Sequence, residues 1–256
     1  MEFRIIALDM DGTLLDAAGQ IPGSFWPVLD ELRARDVAVA PASGRQLATL
    51  QAIFPGDTFI AENGTCVFHD GEIVSTTLLD DATVHAVIDI ALAADMDLVV
   101  CTPTVASPRP GIPAGTGAGP QKDYPPRHAT EDLHAVTDVI KLAVFTTDIA
   151  EDTIYPVLLD AAPEANVVVS GAHWVDIMHA DAGKGRALTA LAEAMGVDKR
   201  QTAAFGDYLN DLELLEAAGT AWAMDNAHPD IKAIADHIAP PNTEAGVVTV
   251  LRTLLD

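Results

Sequence analysis

Cysteine is scarce in this 256-residue chain: Cys66 and Cys101 stand apart with no CxxC. That excludes a disulfide framework and a thiolate zinc site, leaving two small buried hydrophobes in predicted strands. Bases are scarce as well, with 14 Lys and Arg against 38 Asp and Glu, a formal charge of -24 and no basic cluster. Such a surface repels nucleic acid and anionic membranes. It would equally repel a phosphorylated ligand, so a phosphate site here needs a cation and well-placed bases. No stretch of ~18 uninterrupted apolar residues occurs, and Met1-Glu2-Phe3-Arg4-Ile5 is no basic leader before an apolar run. The expectation is a cytoplasmic protein with reduced thiols that binds neither nucleic acid nor membrane. The eight histidines make no HxH or HExxH, so none is assigned as a ligand.

What is present is the balance of a packed globular chain, 49% hydrophobic and 20% charged. The length suits one large domain or a large and a small one. Phe3 to Leu8 is a short apolar run without alternation, as expected of a strand buried on both faces. Ser24 is placed to cap a helix through Arg35, Val37 to Ala40 reads as a second strand, and Gln46 to Phe54 as a second helix. This is the order of a doubly wound sheet. Asn63-Gly64 and Asp70-Gly71 then punctuate short β-rich runs as a third strand and a hairpin.

From Asp81 the pattern restarts as a separate α+β unit: helix 82–94, strands 97–102 and 138–146, helix 150–161, and strands 166–170 and 173–178. Between its first strands, Pro103 to Arg127 holds seven Pro and four Gly, a long loop of the kind that is functional or disordered. Helix and strand patterns alternate again over 184–195, 202–206, 209–217, 220–224 and 229–236, with a last helix at 243–255. The expected fold is α/β, a Rossmann-like, mostly parallel core from 1–80 and 181–256 with an inserted α+β cap at 81–180.

Asp9 and Asp11 follow the first strand at i and i+2, so in extended backbone both side chains project the same way. Gly12 then lets the chain turn. In open α/β sheets ligands gather beyond the carboxyl ends of the strands. Two carboxylates there repel each other unless a divalent cation joins them, after which one can serve as nucleophile and the other as proton carrier. A plain strand-ending turn is the alternative for this segment taken alone. A calcium loop is excluded, since its sixth position is Leu14 and its twelfth Gln20.

Gly206-Asp207-Tyr208-Leu209-Asn210-Asp211 again places acids at a strand's carboxyl end, Asp207 within reach of a shared cation. Asn210 and Asp211 also read as first-turn helix residues. Ser43-Gly44 follows the second strand, where a hydroxyl and N–H groups make a phosphate cradle or an ordinary cap. Lys184, in Ala182-Gly183-Lys184-Gly185, opposes the dipole of the helix it starts and asks for an anionic partner. No P-loop is present.

The order Asp9-Met10-Asp11-Gly12-Thr13, Ser43-Gly44, Gly183-Lys184-Gly185 and Gly206-Asp207-x-x-Asn210-Asp211 resembles the haloacid dehalogenase-like hydrolase superfamily. The insertion point between the Ser and Lys motifs is similar to that of its Cof-type sugar phosphatases with an α/β cap. The resemblance spans the whole chain. It implies hydrolysis of a small phosphorylated metabolite, with Asp9 as nucleophile, forming an aspartyl-phosphate, and Asp11 as general acid/base. Met10, Ser43, Gly44, Lys184 and Asn210 would hold the phosphoryl group. Mg2+ would be bound by Asp9, Asp207 and the main-chain carbonyl of Asp11, with Asp211 in support. Tyr208 departs from the pattern, since many relatives have Gly there. A phosphomutase and a non-catalytic phosphate-ligand binder stay open as alternatives.

Candidate substrate contacts are Arg45, beside Ser43-Gly44, Asn63 in its turn, and Arg109, Lys122 and Arg127 in the Pro/Gly-rich stretch. Arg45 is better placed than the three loop bases, for which a solvated loop with scattered charges is the ordinary explanation, and a hairpin turn explains Asn63-Gly64 equally well. Gly115 to Gly119 opens no helix and is no dinucleotide fingerprint. Trp26, Trp174 and Trp222 sit in apolar runs and are expected in the core.

Overall fold

A computed structural model describes residues 3–109 and 132–255. The chain divides into two units, one made of Met1–Gly44, Phe54–Ser75 and Gly183–Asp256, the other of Arg45–Ile53 and Thr76–Ala182.

The first unit is built on an eight-stranded sheet. Its strands are β1 (Ile5–Asp9), β2 (Ala38–Ala42), β3 (Thr58–Ala61), β4 (Cys66–His69) and β5 (Glu72–Thr76), then β11 (Thr202–Gly206), β12 (Thr220–Met224) and β13 (His237–Ala239). The spatial order is β13-β12-β11-β1-β2-β3-β4-β5. From β13 to β3 neighbouring strands are parallel, whereas β4 runs antiparallel to β3. Every residue of β1 and β11 is buried, because strands covered on both faces leave no polar side to alternate with. The chain leaves β1 toward β2 on one side and returns through β11 on the other. That makes the carboxyl end of β1 a topological switch point, where such sheets bind ligands.

Helices Phe25–Ala34 and Gly246–Leu255 pack together on this sheet, as do Lys184–Met195 and Leu212–Ala217. Trp222 is buried and stacks on Phe205, ring centroids 5.0 Å apart. Cys66 is buried, which pushes its thiol up to about 12, and Cys101 is buried too.

The second unit holds a five-stranded sheet in the order β7-β6-β8-β10-β9. Its strands are β6 (Asp97–Cys101), β7 (Ala106–Pro108), β8 (Lys141–Phe145), β9 (Asn166–Gly171) and β10 (Trp174–Met178), and the neighbours pair antiparallel. Val84, Val87 and Ile88 of helix Asp81–Ala93 share a core with Leu98, Val100, Leu142, Val144, Val175 and Ile177. Strand alternation thus gives one apolar face to the helices. On the other parity of these strands Lys141 and Asp176 form a buried ion pair, Nζ to Oδ2 3.5 Å. Among the described residues no helix is long and apolar enough to cross a membrane.

Several local expectations need correction. Ser24 precedes its helix but makes no side-chain capping bond, and the Phe25 amide donates to the Pro22 carbonyl instead. The helix expected over 150–161 is two pieces, Ala150–Thr153 and Tyr155–Ala161. Pro156 has no N–H for the Asp152 carbonyl, so the ladder lapses there. Part of the Pro/Gly-rich stretch is strand β7, and a short edge strand, β13, lies between the last two helices. Residues 115–119 fall outside the described residues.

Candidate active site

The carboxyl ends of β1, β2 and β11 carry Asp9, Ser43 and Asp207. Asp9 ends β1 and is buried. After it Met10–Leu14 form one wide turn, closed by the Leu15 amide on the Met10 carbonyl at 2.8 Å. Gly12 sits in it at φ 84°, and a Cβ there would come within 2.3 Å of Asp207 Oδ2. Only glycine meets both demands. Thr13 Oγ1 donates to Asp207 Oδ1 at 3.1 Å, tying this turn to the end of β11.

Lys184 starts helix Lys184–Met195 with its side chain buried. The anionic partner its position asks for is double: Nζ donates to Asp9 Oδ1 at 2.5 Å and to Asp211 Oδ1 at 2.7 Å. Asp211 is fully buried, and its Oδ2 accepts from the Asp207 amide at 3.0 Å. One carboxylate thereby fixes both the lysine and the loop that presents Asp207.

One oxygen each of Asp9, Asp207 and Asp211 lies within 4.8 Å of the others. Three carboxylates and one ammonium leave two negative charges in excess, which suits a divalent cation, and an all-oxygen donor set suits a hard one. The electrostatics agree. Burial, with the charges of Asp211 and Asp207 adding to it and Lys184 opposing, holds the Asp9 carboxyl well above the usual range. Burial and Asp211 push Asp207 up to about 6. For Lys184 burial works against the ammonium, but the two carboxylates outweigh it and the net shift is upward. The lysine therefore keeps its proton, and the surplus of carboxylate is what a cation would relieve.

Of the other expected site residues, Asp11 is exposed on the turn and its side chain is not in the three-carboxylate cluster. Asn210 is exposed as well, and Met10 and Ser43 are buried, Gly44 half-buried. Tyr208 is exposed beside Asp207, its ring edge-on to His228 with centroids 5.8 Å apart. Asn63 lies against Gly44, and Arg45 is half-buried in the second unit. Arg109 is engaged within its own unit, donating to the Met96 carbonyl at 2.8 Å and pairing with Asp95. Lys122 and Arg127 lie outside the described residues.

Sequence reasoning missed Asn226, whose Nδ2 donates to the Gly12 carbonyl at 2.8 Å. Its Oδ1 accepts from the Asn242 amide at 3.0 Å, while Asn242 Nδ2 reaches the Leu15 carbonyl at 2.8 Å. The two asparagines brace the turn after β1. Asn226 follows the carboxyl end of β12, so the rule that located Asp9 and Asp207 would have found it.

A family model described as haloacid dehalogenase-like hydrolase matches residues 6–251. The 5-amino-6-(5-phospho-D-ribitylamino)uracil phosphatase YwtE of Bacillus subtilis is 28% identical, over 98% of this chain and 98% of its own. Phosphatase YwpJ of the same organism is 27% identical, over 98% and 100%. The crystal structure of a haloacid dehalogenase-like hydrolase from Bacteroides thetaiotaomicron superposes with a TM-score of 0.84 at 21% identity, covering 98% of this chain and 99% of that one.

Proposed function

Because the chain belongs to the haloacid dehalogenase-like hydrolases, as one of their phosphatases, we propose that it hydrolyses a small sugar or sugar-alcohol phosphate, or a related metabolite, through an aspartyl-phosphate on Asp9. The observation that carries this reading is the buried Lys184 ammonium, 2.5 Å from Asp9 at the end of the central strand. The ribityl phosphate in the name of the YwtE relative is a sugar-alcohol phosphate of the proposed kind.

In this reading an Asp9 oxygen attacks phosphorus while the bond to the leaving oxygen breaks, and Asp11 gives that oxygen its proton. Asp11 then takes a proton from water, which attacks the same phosphorus, releasing inorganic phosphate and restoring Asp9. Met10, Ser43, Gly44, Lys184 and Asn210 hold the phosphoryl oxygens. Asp9, Asp207 and the Asp11 main-chain carbonyl would hold magnesium, supported by Asp211. When bound, the cation neutralises charge on the transferring group and polarises it. Phosphoryl transfer asks mainly for positioning and charge neutralisation, and a buried ammonium beside the nucleophile supplies both. Because these groups serve phosphate and cation, the choice among phosphomonoesters falls to residues outside them.

The test is phosphate release from an activated aryl phosphate and a panel of phosphorylated metabolites. Release is expected with magnesium, is lost on chelation and returns with added metal. Release indifferent to chelation would contradict the metal assignment. Isomer conversion with almost no free phosphate would mean a mutase, and no turnover of any compound a phosphate-ligand binder.

A further inference from the structure

The connection between β3 and β4 is unusual in its backbone. Glu62, Asn63 and Gly64 are left-handed in succession, at φ 52°, 55° and 93°. Asparagine and glycine tolerate that region, whereas glutamate enters it only where its surroundings demand it. Such strain collects where function fixes the backbone. Here Thr65 closes the run, its hydroxyl donating to the Glu62 carbonyl at 2.9 Å.

This run touches two of the segments assigned to phosphate. The Ser43 amide donates to the Ile60 carbonyl and the Asn63 amide to the Ser43 carbonyl, both at 3.0 Å, so the β3 side grips both peptide groups of Ser43. The Asn63 side chain lies over Gly44, where a Cβ would meet its Oδ1 at 2.9 Å and Nδ2 at 3.1 Å. Gly64 backs onto the other segment: a Cβ would come within 2.3 Å of the Gly183 carbonyl oxygen and 2.9 Å of the Lys184 amide nitrogen. Those are backbone atoms with no side-chain freedom to yield.

We propose that Asn63 is a positioning residue, and that Glu62–Asn63–Gly64 is the strut holding Ser43–Gly44 and Gly183–Lys184 in the register that receives the phosphoryl group. Asn63 touches Gly44 and acts through it. The proposal rests on the phosphatase reading and assigns the turn a part in it that a simple hairpin connection does not need.

The test compares Asn63→Gly and Asn63→Ala in the full chain, using an aryl phosphate and inorganic phosphate as competitive inhibitor. Glycine keeps the left-handed backbone and deletes only the amide. Asn63→Gly is expected to raise KM and the inhibition constant of inorganic phosphate together, by about tenfold to a hundredfold, with the magnesium concentration for half-activation unchanged. Asn63→Ala, which also strains the backbone, should do the same and melt at a lower temperature. Gly44→Ala pushes the Asn63 amide from its seat and should reproduce the phosphate effect in a folded protein if either Asn63 variant proves unstable. Wild-type phosphate inhibition in Asn63→Gly would overturn the proposal, and so would a parallel loss of magnesium activation, which marks collapse of the whole site. A wild-type enzyme that releases no phosphate and is not bound by it would sink the phosphatase reading itself.

Discussion

Asp9→Asn is expected to lower kcat by at least about 10⁴-fold, since a nucleophile that forms the covalent bond has no substitute nearby. The change is nearly isosteric, so the loss cannot be laid to packing. Stability should move the other way. Burial disfavours the Asp9 carboxylate, and an amide at that place relieves its repulsion with Asp211 and Asp207 while Lys184 keeps its bond to Asp211 at 2.7 Å. Without added metal the variant should therefore melt at the wild-type temperature or above it. Phosphate release and a thermal melt of the same preparation check both halves, and a variant that stays active has its nucleophile elsewhere.

Lys184→Met carries the second large effect, on two quantities at once. Removing one partner of a fully buried ion pair costs about 3–5 kcal/mol, because the charge left behind is uncompensated. Here two carboxylates are left, Asp9 and the fully buried Asp211. Asp211 also holds the Asp207 amide, so the disturbance reaches the loop after β11. Activity should fall by at least about 10²–10³-fold with the donor to the developing charge gone. Magnesium should raise the melting temperature more in this variant than in wild type, since it supplies positive charge that the lysine no longer does. Denaturant melts with and without the metal measure this. A Lys184→Met protein as stable and active as its parent would contradict the description of the site.

The parts legible in the sequence are those where burial writes an unbroken apolar run and the chemistry begins where it ends. Asp9 after Leu8 and Asp207 after Gly206 follow this rule, and the separate antiparallel sheet was legible in the α+β pattern that restarts near Asp81, although the second unit also takes in Arg45–Ile53. Lys184 was legible as a residue in want of an anion. That Asp211 would supply half of that need was not, because the pairing spans 27 positions and depends on how two helices pack. Asn242 was missed because a lone asparagine in a loop carries no periodic signal, whereas Asn226 lies just beyond the carboxyl end of β12, within reach of the rule that pointed to Asp9 and Asp207. The left-handed run at Glu62 was hidden for a related reason: Asn63-Gly64 announces a turn, but nothing local says that a glutamate is forced into the same region. Strand β13 escaped as well, since three residues at a sheet edge make too short a pattern to separate from a linker.

The central claim is that phosphorus passes through Asp9. It is tested most directly by quenching the enzyme with acid during turnover of an aryl phosphate, digesting it and locating the added mass. A phosphoryl group on the peptide containing Asp9, gone when turnover ends and missing in Asp9→Asn, is the predicted result. A phosphoryl group on another residue, or steady turnover with none trapped on the protein, would contradict it.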